Sequence, residues 1–553
     1  MHRCGCFNYL GSDSTTAGKL VDLDTDNQVQ SQLWGLVVGV DGFLKGDFVP
    51  RSFNHMHDAC AGLDCNTVTG DTRLIAVWVS MLQNVKWIDD PLVRQSDFIQ
   101  QVMALRCMPG FQLHVKLNVY NMIVASKSED YLYGRVVGTI FAAVSKHPLP
   151  YGPYKRMLWR DDGGHVPFYV DVHTKQVLLD FANSMKFDIQ GNPIGPSGGP
   201  LYLLQYNGTK RRCEPLSNEA YNLGEIKLGG DLYGNYWLQR TAGIIALSVK
   251  HKAIETIGNT PLAVIQQKSP THCEPVLEER QDGLFVEAVG NRVARKEPND
   301  EWNVKFRAFQ FGRSAKGVIV KTKLIWPPGD LKPAIDIVST KPSGNDGISS
   351  ITFRSSNPGE PRREEQLDGQ VYKYDITAQQ GGDHEFIVRD LQISTLVYSE
   401  YPFTPGKVTW YEHVYPIFQQ YANLYPVMKP IINLASYEDV TKKMKILKHV
   451  LTLPETNPNY MPVTRDLSPT KRRMILSCDT STTLAQSTPN LLKSDGMSSG
   501  YCRKPERVWR EAEEFGQTPT EKERVKNRRV AGRVLAKSWP LPGQTPVELH
   551  ATH

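Results

Sequence analysis

From about Leu20 to Gly312 the chain changes character every second residue, and this period limits what it can become. Leu113-His-Val-Lys-Leu-Asn-Val-Tyr120 alternates apolar and polar side chains strictly. Val166–Val172 and Val304–Phe311 follow the same rule with few exceptions. Such strings predict antiparallel strands with one face on a core and the other in water. Gly and Pro clusters separate them, at Tyr151-Gly-Pro153, Asp161-Asp-Gly-Gly164 and Gly191–Pro200. These are turn signals. The sequence therefore predicts a mainly β protein. Residues 19–314 form antiparallel sandwich- or barrel-like units, two of them if the chain breaks near 150–162. A small β-sandwich over 315–402 follows, with strands at Val318–Ile325, Ile348–Phe353 and Glu385–Ile393.

At Trp410 the period changes. Trp410, Val414, Ile417, Phe418, Tyr421, Leu424, Tyr425 and Met428 recur at three and four, the signature of one apolar helix face. Pro416 kinks or starts that helix. Ser436 caps a second helix to Leu451, with Glu438 and Asp439 first and Lys448 and His449 last, as the helix dipole favours. Ser468-Pro469 starts a third, to Leu476. Residues 403–476 are thus a short helical segment. Residues 1–18 and 477–553 carry too few large apolar residues to offset ordering entropy and are expected to be disordered.

The 553 residues carry a net charge of +6, dispersed along the chain, which predicts no nucleic-acid partner. The basic run Lys522–Arg533 is interleaved with acids and holds no aromatic residue. The longest apolar runs, Leu33–Val40 and Ala242–Val249, are too short to span a bilayer, so no membrane is expected. Met1–Leu10 has no apolar core for a signal peptide. Nine cysteines at irregular spacing read as reduced thiols in a cytoplasmic protein.

Several residues invite chemistry. His55, His57 and Asp58, near Cys60 and Cys65, are candidate metal ligands, although the spacing fits no closed zinc motif and a polar loop between strands is the plainer reading. Asp22, Asp24 and Asp26 start a calcium-type loop that then fails at Asn27 and Leu33, and a polar strand end is the plainer reading. In Asn459–Ser468, Pro458 and Pro462 favour an extended connector. Trp410, Phe418, Tyr421, Tyr425, Arg465 and Asp466 would form a structural clamp, with Arg465 paired to an acid of the β domains. Alternatively Arg465, beside Tyr460, would hold a substrate carboxylate.

Val408–Met428 (VTWYEHVYPIFQQYANLYPVM) and Asn459–Ser468 (NYMPVTRDLS) resemble the hinge region of the bacterial imine-dimerising synthases of bis-indole biosynthesis. These are the iminophenyl-pyruvate dimer synthase of the violacein pathway and chromopyrrolate synthase. Leu20–Asp24, Leu33–Gly35, Tyr133–Gly138 and Asp231–Trp237 are similar to landmarks of the family's N-terminal half, and the likeness extends to about residue 476. The resemblance implies coupling of two oxidised tryptophan imines with iron or haem. It also implies a ferritin-like module with a helical Glu/His metal signature, and Ser477-Cys-Asp-Thr-Ser-Thr-Thr483 stands where that module would begin. The sequence therefore suggests a non-catalytic or truncated relative acting as a β-rich scaffold or binding protein. It would need no cofactor, and its partner would be another protein or a second copy. The alternative is an oxidative enzyme coupling indole-pyruvate-type imines, which alone would require iron or haem.

Overall fold

The computed structural model describes residues 19–23, 31–58, 73–478 and 533–536, apart from 124–134, 207–220, 229–236, 361–367 and shorter breaks. The expected disordered ends therefore fall outside the described residues, save the strand Arg533–Ala536.

The fold is mainly β. β1 (Lys19–Val21), β2 (Gln32–Trp34) and β5 (Arg51–Ser52) form a small antiparallel sheet. A larger sheet takes β3 (Val37–Val40), β4 (Leu44–Phe48), β7 (Arg73–Trp87), β8 (Phe111–Ile123) and β9 (Arg135–Val144), with β6 (His55–Asp58) against β7. Helix α1 (Asp97–Leu105) lays Phe98, Ile99, Val102 and Leu105 on its inner face. Helix α1 was not expected from the sequence and lies inside the β-rich stretch.

The next sheet is a nearly closed barrel. Its order is β16 (Asn222–Ile226), β15 (Leu201–Gln205), β18 (Leu262–Gln267), β19 (Cys273–Glu278), β10 (Arg156–Trp159), β11 (His165–Asp171), β12 (Gln176–Asp180) and β17 (Ile244–Ser248). A hairpin of β13 (Lys186–Phe187) and β14 (Pro193–Ile194) is set apart. Helices α2 (Trp237–Thr241) and α3 (His251–Ile257) add Trp237, Leu238, Ala253, Ile254 and Ile257 to the barrel core. The change of sheet falls between Val144 and Arg156.

A sandwich follows. One sheet is β20 (Leu284–Val289), β22 (Glu301–Gln310), β26 (Ile348–Ser355) and β25 (Ile335–Lys341), with β23 (Arg313–Ser314) off β22. The other is β21 (Val293–Lys296), β28 (Phe386–Val397), β27 (Gln370–Gln380) and β24 (Val318–Trp326). The sandwich thus begins near Leu284, earlier than the expected 315, because β20 and β22 pair with later strands. Phe306, Ile351, Phe353 and Ile376 fill its core. The sheets are antiparallel except for β21 beside β28 and β29 (Arg533–Ala536) beside β9, which run parallel.

β8 corrects one expectation. Its apolar side chains Leu113, Val115 and Leu117 face the core under α1. Its polar set, His114, Lys116 and Asn118, is equally buried. Lys116 Nζ donates to Asp180 Oδ2 at 2.5 Å, with both side chains about 1% exposed, and the Tyr154 hydroxyl donates to the same oxygen at 3.2 Å. The alternation predicts the strand; the barrel, not water, covers its polar face. A buried pair of this kind contributes little net stability against an apolar replacement, but losing one partner is costly.

Cys273 is disulfide-bonded, contrary to the expected reduced state. Cys107 is exposed and Cys478 buried, both as free thiols. Among the described residues no helix is long and apolar enough to cross a membrane. Thiol titration should therefore find Cys107 reactive in the native chain, Cys478 only on unfolding and Cys273 only after reduction.

Burial, with the nearby Arg51 cation, lowers the His114 pKa to about 3. The folded chain thus keeps His114 neutral while the unfolded chain protonates it below about pH 6.5. Its stabilising contribution is full above that pH and is lost as pH falls towards 3. Urea unfolding should show His114→Gln losing about 2 kcal/mol less than the parent between pH 6.5 and pH 5.

Candidate functional site

The helical segment opens with a wide, π-helical turn at Trp410–Val414, where Thr409 accepts a hydrogen bond from the Glu412 amide. Helix α4 (Tyr415–Leu424) follows with Pro416 in its first turn, so this proline starts the helix. The Trp410 ring meets Phe418 at 6.2 Å and Tyr437 at 5.5 Å, both edge-on. Helix α5 (Tyr437–Thr452) begins at Ser436, whose hydroxyl accepts from the Asp439 amide. Helix α6 (Pro469–Ser477) begins at Ser468, which accepts from the Lys471 amide. Val440, Met444, Leu447, Met474 and Ile475 close a core around Trp410 and Phe418.

The connector between α5 and α6 turns where an extended run was expected. The Met461–Pro462 peptide is cis, and the Arg465 amide donates to the Pro462 carbonyl at 3.0 Å. Arg465 takes φ of 56°, a left-handed conformation uncommon outside glycine and held by its surroundings. Only 2% of Arg465 is exposed. Its Nε and Nη2 donate to the Glu455 carbonyl at 3.1 and 3.0 Å. Nη1 donates to the Val463 carbonyl at 2.6 Å, and Nη2 also to the Asn457 carbonyl at 3.4 Å.

The guanidinium lies over the Trp34 ring of β2 at 4.2 Å and the Tyr460 ring at 5.2 Å. Arg472 lies over Tyr460 at 4.2 Å. The expected acid partner is thus replaced by main-chain carbonyls and two ring faces. A planar cation can stack on a ring while its in-plane donors reach carbonyls, which a single carboxylate would not satisfy. Desolvation lowers the Arg465 pKa to about 10, and Arg295 and Arg472 add to the effect.

The other clamp residues meet here. The Tyr398 hydroxyl of the sandwich donates to the Arg465 carbonyl at 2.9 Å. Tyr421 donates to Asp466 Oδ1 at 2.8 Å, and Thr464 to the same oxygen at 2.6 Å. The Tyr425 hydroxyl reaches Thr464 at 3.4 Å. Burial, and then the Asp466 charge, pushes the Tyr421 phenol up. Lys471 pairs with Asp368 at 2.8 Å. A cavity of about 160 Å³ remains between Asp22, Tyr421, Asp466 and Lys471.

His55, His57 and Asp58 lie on β6, whose main chain pairs with β7 from His55↔Val77 to Asp58↔Leu74, so a strand replaces the expected loop. Their side chains, and Cys60 and Cys65, lie outside the described residues. Asp22 accepts from the Ser31 hydroxyl, while Asp24 and Asp26 are outside the description. Among the described residues no group of three His, Cys, Asp or Glu side chains could hold a metal ion.

Sequence reasoning missed a further pocket. It holds about 630 Å³ where β7 and β8 meet the loop after α1. Met81, Val85, Trp87, Phe111 and Leu113 wall it, and Arg106 stands at its rim. Trp87 and Phe111 lie 6.3 Å apart, and Arg106 is 5.8 Å from the Trp87 ring. The signal was a tryptophan and a phenylalanine at the ends of two strands flanking a short helix. A second cleft of about 490 Å³ lies between barrel and sandwich, walled by Trp159, Phe285 and Phe386. Its arginines are paired, Arg280 with Asp282 at 2.7 Å and Arg389 with Asp161 at 3.7 Å.

No family model and no curated protein matches this chain. Among solved structures, a family 123 glycoside hydrolase from Clostridium perfringens aligns over 30% of this chain at 15% identity with a TM-score of 0.15, and the chain spans 35% of its length. Domains 4 and 5 of the S-layer protein SbsC align over 44% of this chain and 99% of theirs, at 14% identity and a TM-score of 0.15. The Dpr2 Ig1-Ig2 complex with DIP-Theta aligns over 41% of this chain and 92% of that one, at 9% identity and a TM-score of 0.16. Likenesses this slight carry no inference about fold or function.

Replacing Arg465 with Ala should lower stability by about 2–4 kcal/mol, since it strands buried carbonyls and removes a stacked cation. Arg465→Lys should recover only part, because an ammonium cannot reproduce the planar fork. Thermal unfolding measures both. An unchanged melting temperature with lost binding of an indole-pyruvate ligand would restore the substrate-clamp reading.

Proposed function

We propose that this chain is a non-catalytic relative of the imine-dimerising synthases that works as a β-rich binding scaffold. The observation that carries this reading is the commitment of Arg465. Every guanidinium nitrogen donates to a main-chain carbonyl, and Trp34 and Tyr460 take its faces. An arginine so engaged braces the helical segment against β2 and spends four of its five N–H groups on carbonyls, so no pair of donors is left to grip a substrate carboxylate. Tyr460 is held between Arg465 and Arg472 and is likewise turned away from a ligand. The scaffold's partner is another protein or a second copy of the chain, and its binding needs neither iron nor haem.

The proposal sets the chain in the cytoplasm, following the cysteine spacing. The Cys273 disulfide argues for an oxidising compartment, where such bonds persist. Cell fractionation, with detection of the oxidised form, decides between the two.

The purified chain, supplied with ferrous iron, hydrogen peroxide and the imine freshly generated from indole-pyruvate, should yield no coupled dimer above the protein-free control. Elemental analysis should find iron well below one equivalent per chain. Protein-dependent dimer formation would replace the scaffold reading with that of an oxidative imine-coupling enzyme.

A further inference from the structure

We infer that the pocket where β7 and β8 meet the loop after α1 binds an amphiphilic carboxylate, a small apolar acid with a single anionic head. This rests on the binding-scaffold reading and gives it a ligand class. Three observations carry it.

The first is size and lining. About 630 Å³ lies within the range of small-molecule sites, and Met81, Val85, Trp87, Phe111 and Leu113 present hydrocarbon and ring surface to it. Walls of this kind favour an apolar ligand body through the area it removes from water.

The second is the charge at the rim. Arg106 is exposed, its one side-chain hydrogen bond goes weakly to Met103 Sδ at 3.4 Å, and no carboxylate among the described residues pairs with it. The arginines of the second cleft are paired, as are the buried Arg156 with Glu279 and Arg292 with Glu287. Arg106 thus has its planar fork of donors available at the mouth of an apolar pocket. One guanidinium matches one carboxylate in two parallel hydrogen bonds. A ligand with an ammonium head would be repelled, and a neutral one would leave the fork unused.

The third is preorganisation. Arg106 sits on a short loop pinned at both ends. The Met108 amide donates to the Leu105 carbonyl at 2.9 Å, the Phe111 amide to the Met108 carbonyl at 3.1 Å, and the Ser145 amide to the Gly110 carbonyl at 2.9 Å. Gly110 has φ of 81°, and a Cβ there would come within 3.0 Å of the Ser145 carbonyl oxygen, so this close turn needs glycine. A loop already fixed against β9 loses little freedom on binding.

Isothermal titration calorimetry with decanoate, decanol and decyltrimethylammonium tests the inference on the full chain. Decanoate should bind tightest. Arg106→Gln should weaken decanoate about tenfold or more while leaving decanol unchanged. Trp87→Ala should weaken both, with circular dichroism confirming that each variant is folded. No decanoate binding to the folded parent, equal decanoate affinity in Arg106→Gln, or a preference for the ammonium would each overturn the inference. These outcomes are separate from imine coupling, which decides the scaffold reading by itself.

Discussion

The sheets of this protein are held to one another by arginines whose forks reach across seams. Arg51 donates from the small N-terminal sheet to the Val79 carbonyl of the first large sheet at 2.9 Å and to the Ala288 carbonyl of the sandwich at 3.1 Å. Arg292 donates to the Asn54 and Asp390 carbonyls, both at 2.9 Å. Within the barrel, Arg156 ties strand to helix in the same way, gripping Glu279 with two nitrogens and reaching the Ile257 and Thr260 carbonyls beside α3. Arg465 does the same for the helical segment. Where strand ends and loops from different sheets abut, their carbonyls have no ladder partner, and an unpaired buried carbonyl is costly. A guanidinium has five donors in one plane and can satisfy several such oxygens at once. These side chains work beside an apolar seam in which Val77, Val79 and Phe141 of the first large sheet, Met157 of the barrel and Phe285 and Phe309 of the sandwich pack together.

That arrangement explains what could be read from the sequence and what could not. Period and punctuation are local, so β8, β22, β24, β26 and the capped helices α5 and α6 followed from adjacent residues. The helix starts at Ser436 and Ser468 were legible because a cap acts within one turn. The partner of a strand is not local. β22 looked like the end of the first unit until its pairing with β26 placed it in the sandwich. The burial of His114, Lys116 and Asn118 was equally hidden, because alternation says which residues share a face and not what covers that face.

The candidate clamp shows the same limit at a single residue. Aromatic spacing and two prolines drew attention to Arg465, and an arginine among aromatic residues suggests either a structural pair or a carboxylate holder. Which of these holds depends on Trp34, near the other end of the chain, and on carbonyls that no side-chain pattern encodes. Carbonyl-directed arginines leave no complementary acid in the sequence to search for, so the expectation of an acid partner for Arg465 was reasonable and failed.

An exposed cation can be exchanged freely on a surface, whereas a buried one must be answered by acceptors or it would shed its proton or its place in the fold. Among the described residues the buried arginines Arg51, Arg156, Arg292 and Arg465 are answered from within the chain, by carbonyls, carboxylates or ring faces, and so their geometry is fixed by folding alone. Arg106 differs in that it is exposed and the protein answers it with the Trp87 ring and a thioether, beside walls that are mainly apolar. The loop that carries it is nevertheless as firmly tied as those that carry the bracing arginines. A tied loop costs conformational freedom on folding, and at Arg106 no oxygen acceptor among the described residues uses the position so obtained, only the Met103 thioether. The order of that loop comes from its own backbone hydrogen bonds and the Gly110 turn, and the same rule that assembles the seams, a planar fork seeking oxygen, is what makes this rim suited to the anionic head proposed above.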